Sequence, residues 1–336
     1  MAETRYLCLT WLRSFPNILV KKRLKVETGF LTGPVFFLRG EAEAISSYFF
    51  IMEVLQNIFT DCGLNVQRYE QVRGGDINEA FCLFTSSDKY FLKVNDKDKY
   101  PDMFEKEAGG LDLLRKHSIL AIPGVIRTGL AGEKQYLLLQ WLEKGSPKKD
   151  MWEHFGAGLA TIHKSTHSYF GSDEDNYIGS LKQINTPRNA WHAFYAECRI
   201  MPLVKVLFDS GSFSSTDIAN ANSFCNNLIN IFPSGPPSLL HGDLWAGNFF
   251  ISSSGYAAIF DPAVYFGHRE MDIGMTKLFG GFDIRFYDAY NESYPLEKGW
   301  EERLPITQLY PLLVHAALFG GHYITSASTI LFTYSG

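Results

Sequence analysis

From residue 52 onward, apolar and polar positions fall into recognisable periods. Over 52–63, Val54, Leu55, Ile58 and Phe59 recur at helical spacing on one face, and Gly63 follows as a stop signal. VQRYEQV and FCLFTS read as strands on either side of a turn-rich segment, RGGDINEA, and KYFLKV reads as a third strand after a Ser-Ser-Asp turn. MFEKEAGGLDLLRKH is helical, and QYLLLQWL is an unbroken apolar run, the pattern of a strand covered on both faces. The polar EKGSPKKD, with its Gly and Pro, marks a boundary. Beyond it MWEHFGAGLATIHKSTH is helical, 187–232 is largely helical, a short β region interrupts at 239–260, and helix returns around LYPLLVHAALFGGHYI. The order predicts an α+β chain, with a small β-rich lobe carrying one helix over 52–142 and a larger, mainly helical lobe over 143–336.

Composition narrows the class. Of the 336 residues, 46% are hydrophobic and 20% charged, enough for a sizeable core and against disorder. The formal net charge of -5 does not indicate a strongly basic nucleic-acid binder. No apolar run approaches the roughly 20 residues that span a bilayer, so no membrane partner is expected. Cys8, Cys62, Cys82, Cys198 and Cys225 are scattered and never form CxxC, which argues against a disulfide framework or a zinc ribbon and suits a reducing, cytoplasmic setting. Residues 1–51 carry a basic cluster (Lys21, Lys22, Arg23, Lys25) that follows a short apolar run, the reverse of a secretory signal, while Glu3 and Glu27 count against a transit peptide. The segment reads as an N-terminal extension, an appended or poorly ordered arm, with no function assigned.

Candidate chemistry concentrates in SLLHGDLWAGNFFISSSGYAAIFDPA. FFIS and YAAIF flank Ser254-Gly255 as a hairpin. A turn centred between 254 and 255 would set Asn248 opposite Asp261, an amide oxygen beside a carboxylate, and such hard ligands suit Mg²⁺ together with phosphate oxygens. Asp243, five residues before Asn248, is placed to accept or orient the proton of an attacking hydroxyl, the spacing of kinase-type phosphoryl transfer. Upstream, Lys93 lies in the third strand. In the following helix Phe104, Glu107, Leu111 and Leu114 share a stripe, so Glu107 is expected to be buried against the sheet and paired with Lys93, holding that lysine against nucleotide phosphates. Gly74 and Gly75 permit close approach of backbone amides to phosphate, and Gln140, Trp141 and Leu142 are placed to meet an adenine edge. His163 and His167 have the HxxxH spacing but lack the glutamate of HExxH, and read as core or surface histidines.

HGDLWAGN, FDPAVYFGHREMD, GGDINEAF and FGSDEDNYIG together resemble the fructosamine/ketosamine-3-kinase family, related to aminoglycoside and choline kinases, from about Met52 to near the C-terminus. The resemblance implies a protein-kinase-like two-lobe fold and an ATP-dependent kinase that phosphorylates the 3-hydroxyl of ribulosamine, erythrulosamine or fructosamine adducts on proteins or small amines, a deglycation repair. It implies Asp243 as proton acceptor, Asn248 and Asp261 as Mg²⁺ ligands, and Lys93 with Glu107 as the phosphate lysine and its partner. Gly74, Gly75, Asp76, Ile77 and Asn78 would cover the ATP phosphates, with Gln140, Trp141 and Leu142 as the hinge. Trp245, with His241, would lie beside the acceptor sugar, and Asp272 would cap the helix that follows and brace the catalytic loop. Asp76 stands where some relatives carry a cysteine, and Gln140 where an acidic residue is common. The alternatives are an aminoglycoside- or choline-type small-molecule kinase, and a catalytically inactive nucleotide-binding module, which the complete set Lys93, Glu107, Asp243, Asn248 and Asp261 disfavours.

Overall fold

The computed structural model describes residues 51–72 and 77–336. Of the extension expected over 1–51, only Ile51 is among them, in the first helix, and the assignments at Gly74, Gly75 and Asp76 lie outside the described residues. The chain divides into two units: one runs to Lys99 and resumes over Ile126–Trp141, and the other comprises Tyr100–Val125 and Leu142–Gly336.

Among the described residues, the first unit is a five-stranded sheet with a helix on one face. Helix α1 covers 51–61, and the strands are β1 (Arg68–Val72), β2 (Glu79–Phe84), β3 (Lys89–Asp96), β4 (Val125–Ala131) and β5 (Lys134–Gln140), in the order β1-β2-β3-β5-β4. Val54, Leu55, Ile58 and Phe59 of α1 are buried against Phe81, Leu83, Leu92, Val94, Tyr136 and Leu138. Each such side chain contributes about 1.5–3 kcal/mol on burial. The helix ends where predicted: Gly63 takes φ +63°, and the N–H of Leu64 returns to the carbonyl of Phe59 at 2.9 Å. Because strand side chains alternate, Lys93 and Asn95 lie on the sheet face away from α1, with Lys93 directly between Ala80 and Leu137.

The second unit is mainly helical, as the sequence predicts. It contains α2 (Met103–Lys116), α3 (Met151–His163), α4 (Trp191–Phe194) running through a π-helical turn into α5 (Met201–Asp209), α6 (Ser215–Asn227), α7 (Glu270–Leu278), α8 (Ile284–Ser293), α9 (Leu304–Phe319) and α10 (His322–Thr333). Three short antiparallel pairs interrupt them: β6 (Asn176–Ile178) with β7 (Leu181–Gln183), β8 (Ser238–Leu240) with β11 (Tyr265–Gly267), and β9 (Phe249–Ile251) with β10 (Ala257–Ile259). Helix α2, read from sequence as part of the 52–142 stretch, groups with this unit because its surroundings are there. Gly110 leaves room for Val264, Lys106 pairs with Glu174, and Tyr177 donates to the carbonyl of Pro101 at 2.9 Å.

Helices α3 and α8 approach unusually closely. A Cβ on Gly156 would stand 2.1 Å from the carbonyl oxygen of Phe286, so only glycine allows the two backbones to meet there. That contact brings the end of α3 beside α7. His163, fully buried, lies 3.2 Å through Nε2 from Asp272 and 2.8 Å through Nδ1 from the hydroxyl of Tyr290. Asp272 in turn accepts the backbone N–H of His241 at 2.7 Å and of Gly242 at 2.9 Å. It does not cap α7, in whose first turn it lies, because both carboxylate oxygens are turned to the loop after β8. Burial alone would raise the pKa of Asp272, but the hydrogen bond from His163, the electrostatic pull of His163 and His241 and the Gly242 N–H outweigh it, and the carboxyl titrates below its ordinary 3.8.

Two predictions test this packing. Gly156→Ala should destabilise the protein by about 1–3 kcal/mol through overpacking, whereas Gly109→Ala, in an exposed helical position with open space around it, should stabilise it by up to about 1 kcal/mol. Chemical denaturation reads both, and an unchanged midpoint for Gly156→Ala contradicts the close approach. A carboxyl with a lowered native pKa contributes stability that is present above its unfolded pKa and is lost as pH falls below about 3.8. Between pH 5 and pH 3, unfolding free energy should therefore fall more steeply in the wild type than in Asp272→Asn, and parallel curves would refute the brace.

Candidate active site

The strand β8 is buried along its whole length, and it delivers His241-Gly242-Asp243 at its end. Gly242 takes φ +83°, and a Cβ there would fall 2.0 Å from the carbonyl of Ala263, so this turn and the one after β10 touch backbone to backbone. The N–H of Ala263 also donates to the carbonyl of His241 at 2.9 Å. Leu244, fully buried, anchors the loop, and a single 3-10 turn, Ala246–Asn248, returns it to β9.

Asn248 is buried and its amide nitrogen donates to Asp243 twice, to the backbone carbonyl and to Oδ2, both at 2.9 Å. The same nitrogen lies 3.5 Å from the backbone oxygen of Asp261. Asp243, Asn248 and Asp261 are thus gathered at one end of the β9–β10 hairpin. The register differs by one residue from the expected one. Phe249 pairs with Ile259 and Ile251 with Ala257, which puts Asn248 opposite Phe260, whose N–H donates to the Asn248 carbonyl at 3.1 Å. The cause is the turn: Ser252 and Tyr256 close a three-residue loop in which Gly255 takes φ +84°, in place of a two-residue turn at 254–255. Asp261 follows the strand in the left-handed region, at φ +54°.

Asp243 keeps some solvent exposure, yet burial is the main cause pushing its pKa up, to about 7, against the lowering hydrogen bond from Asn248; the neighbouring carboxylates Asp261 and Asp272 add to the rise. Clustered negative charge of this kind is a place where a cation relieves repulsion. Among the described residues no group of three or more His, Cys, Asp or Glu side chains could hold a metal by itself. The donors Asp261 and Asn248 instead fit Mg²⁺, which takes one or two protein oxygens and completes its shell with phosphate and water.

The other expected residues fall as follows. His241 is fully buried, with Nε2 3.1 Å from the carbonyl of Phe260 and Nδ1 3.3 Å from the N–H of Asp243. Both ring nitrogens serve the loop itself, so the expected place beside an acceptor is corrected. Trp245 is turned outward, 36% exposed, with its ring over Gly247 and 5.7 Å from that of Phe279. Lys93 is buried on β3. Asn78, described just after the glycine pair, accepts from Asn95 at 2.9 Å, and so the chain after Ile77 is tied to β3 two residues from Lys93. Gln140 is the exposed end of β5, Trp141 packs against Phe91, and the division between the units falls between Trp141 and Leu142. Glu107 is half-buried: the apolar stripe of α2 runs through Phe104, Ala108, Leu111 and Leu114, with Glu107 at its margin, which corrects the expected burial. Lys93 belongs to the first unit and Glu107 to the second. His167 is exposed, whereas His163 is inside, and sequence reasoning missed that His163 supports the loop through Asp272. The available signal was helical spacing, which sets residue 163 on the buried side of α3 with Leu159 and Phe155.

Comparison with known proteins identifies the family. The model of the fructosamine kinase family matches residues 51–334. The chain is 38% identical over 272 residues to a probable ketoamine kinase of Lactiplantibacillus plantarum, covering 80% of this chain and 95% of that one. It is 34% identical over 274 residues to the chloroplastic protein-ribulosamine 3-kinase of Arabidopsis thaliana, covering 80% and 83%. A solved structure from Haemophilus somnus, provisionally named a fructosamine-3-kinase, superposes with a TM-score of 0.77 at 28% identity, covering 85% of this chain and 99% of that one. The aminoglycoside phosphotransferase APH(4)-Ia, at 16% identity, a TM-score of 0.54 and coverage of 85% and 100%, shares the fold alone. With a kinase-like α+β fold, and with a family model spanning nearly all of the described residues, the chain belongs to the fructosamine kinase family of ATP-dependent phosphotransferases.

Proposed function

We propose that the protein transfers the γ-phosphoryl group of ATP to the 3-hydroxyl of a ketosamine, the adduct formed when a sugar glycates an amine. The observation that carries this reading is the convergence of Asp243, Asn248 and Asp261 on one hairpin end in a chain of this family. Asp243 accepts or orients the proton of the attacking hydroxyl, and Asn248 holds it for that task through one hydrogen bond to its carboxylate and one to its backbone carbonyl. Asn248 and Asp261 are the residues that would hold Mg²⁺, which when bound neutralises phosphate charge. Lys93 is assigned to the nucleotide phosphates, with Glu107 as its partner, on the sequence pattern alone. Ile77, Asn78, Gln140, Trp141 and Leu142 are assigned to the nucleotide. Trp245 offers a flat, exposed face to the C–H surface of the sugar. Most of the rate is assigned to placement and charge neutralisation.

Ribulosamine, erythrulosamine and fructosamine adducts are the candidate acceptors, on proteins or on small amines, and loss of the labile 3-phosphate would complete a repair of glycated amines. Among the described residues no helix is long and apolar enough to cross a membrane. We place this activity in a reducing, cytoplasmic setting, on the scattered cysteines of the sequence.

The test is direct. Incubated with ATP, Mg²⁺ and these three adducts, the protein should release ADP and give a sugar 3-phosphate visible by phosphorus NMR. Turnover on an aminoglycoside or choline with none on any ketosamine would replace this reading, and ATP binding without turnover on anything would make the chain an inactive nucleotide-binding module. Asp243→Asn should lower kcat by about 10²–10⁴-fold while nucleotide affinity stays nearly unchanged. Trp245→Ala should raise KM for the ketosamine about tenfold, near 1.4 kcal/mol, with a smaller change in kcat. An unchanged KM would remove Trp245 from the acceptor side.

A further inference from the structure

Asp261 has a non-glycine backbone in the left-handed region, at φ +54°. Such a conformation is uphill for a residue with a Cβ and persists only where the surroundings enforce it. On the upstream side, the N–H of Phe260 is held by the carbonyl of Asn248 at 3.1 Å. On the downstream side, two amide side chains from the β6–β7 hairpin take hold of the chain. Asn176 Nδ2 donates to the carbonyl of Val264 at 2.8 Å, and Gln183 Nε2 donates to the carbonyl of Ala263 at 3.1 Å.

These two residues are directly paired across the hairpin, and Gln183 Nε2 also donates to Asn176 Oδ1 at 2.8 Å. Behind them the network closes. The hydroxyl of Tyr310 donates to Gln183 Oε1 at 2.8 Å, and Asn185 Nδ2 donates to Asn176 Oδ1 at 2.9 Å. Arg199, fully buried, donates to Asn185 Oδ1 at 2.8 Å, with its guanidinium 4.0 Å from the centre of the Tyr265 ring. Gln183, Asn185 and Tyr310 are all buried. Water cannot take the place of a lost partner cheaply there. The acceptors chosen by the two amides are the carbonyls two and three residues beyond Asp261, and the Ala263 carbonyl is the same atom against which Gly242 is packed.

We infer that Asn176 and Gln183 are positioning residues for Asp261: by gripping the Ala263 and Val264 carbonyls they set the orientation in which the Asp261 carboxylate meets a divalent cation bound with the nucleotide. This rests on the reading of Asp261 given above. Neither amide acts on the substrate, and the NYIG segment is assigned to the metal side of the site, not to the acceptor side.

The experiment uses the full chain and the variants Asn176→Ala and Gln183→Met, the second keeping side-chain volume without the donor. Three quantities are read: Mn²⁺ binding to the protein–ADP complex by EPR of the free ion, ADP binding in EDTA by calorimetry, and the Mg²⁺ dependence of kcat. Each variant should bind Mn²⁺ at least tenfold more weakly in the presence of ADP, bind metal-free ADP within twofold of the wild type, and recover kcat as Mg²⁺ is raised. A merely structural role would weaken metal-free ADP binding in the same proportion and give no recovery with Mg²⁺, and that result overturns the inference. So does an unchanged Mn²⁺ affinity, including the case in which only the ketosamine KM rises. If Asn176→Ala does not fold, Gln183→Met decides the question by the same readouts. A wild-type protein that takes up no Mn²⁺ with ADP sinks the kinase reading itself, whereas wild-type uptake matched by both variants sinks only the inference drawn here.

Discussion

One buried carboxylate organises the catalytic half of this molecule. Asp272 is sealed from solvent, and an ion in that position is tolerable only if its oxygens are fully engaged. They are engaged by two consecutive backbone N–H groups at His241 and Gly242 and by the ring of His163. A peptide segment held at both N–H groups cannot rotate, so the direction in which the chain leaves β8, and with it the place of Asp243, is set by an interaction with a helix that follows in sequence. The same loop is pressed against the Ala263 turn through Gly242, so two of the three gathered polar residues belong to backbone segments that define each other.

This arrangement explains an economy in the polar interior. His241, His163, Gln183, Asn185 and Arg199 are all buried, which is expensive for groups of their type without hydrogen-bond partners; each has them, although Nε of Arg199 has none. They are concentrated around the two turns instead of being spread through the helical core, where Leu309, Leu313, Phe224 and Val204 pack without polar partners. Burial keeps His241 neutral at ordinary pH, its pKa lowered below the usual imidazole value, and its nitrogens serve as fixed hydrogen-bonding points for the loop.

Much of this could be read from the chain before any coordinates. Helical spacing of Val54, Leu55, Ile58 and Phe59 and the apolar run at β5 located the sheet and its covering helix, because burial on a defined face leaves a strong periodic mark. The cluster of Asp243, Asn248 and Asp261 was also visible, since a hairpin brings residues close in sequence close in space. Its register was not, because a one-residue difference depends on how Gly255 turns, and both turn types are compatible with Ser-Ser-Ser-Gly. The support of the loop by His163 was hidden for a different reason: its partner Asp272 lies 109 residues further along, and nothing local announces such a pairing. Glu107 shows the limit of a stripe drawn from three or four positions, since sliding the pattern by one residue exchanges it for Ala108.

The stretch leaving Asp261 is short. Only Pro262, Ala263 and Val264 separate it from Tyr265, where β11 begins, and two of those three are clamped through their carbonyls. A proline and two tethered residues have too little slack to swing aside. Any displacement of Asp261 would therefore have to carry the β6–β7 hairpin and the start of β11 along with it, so this corner of the fold moves as one block or not at all.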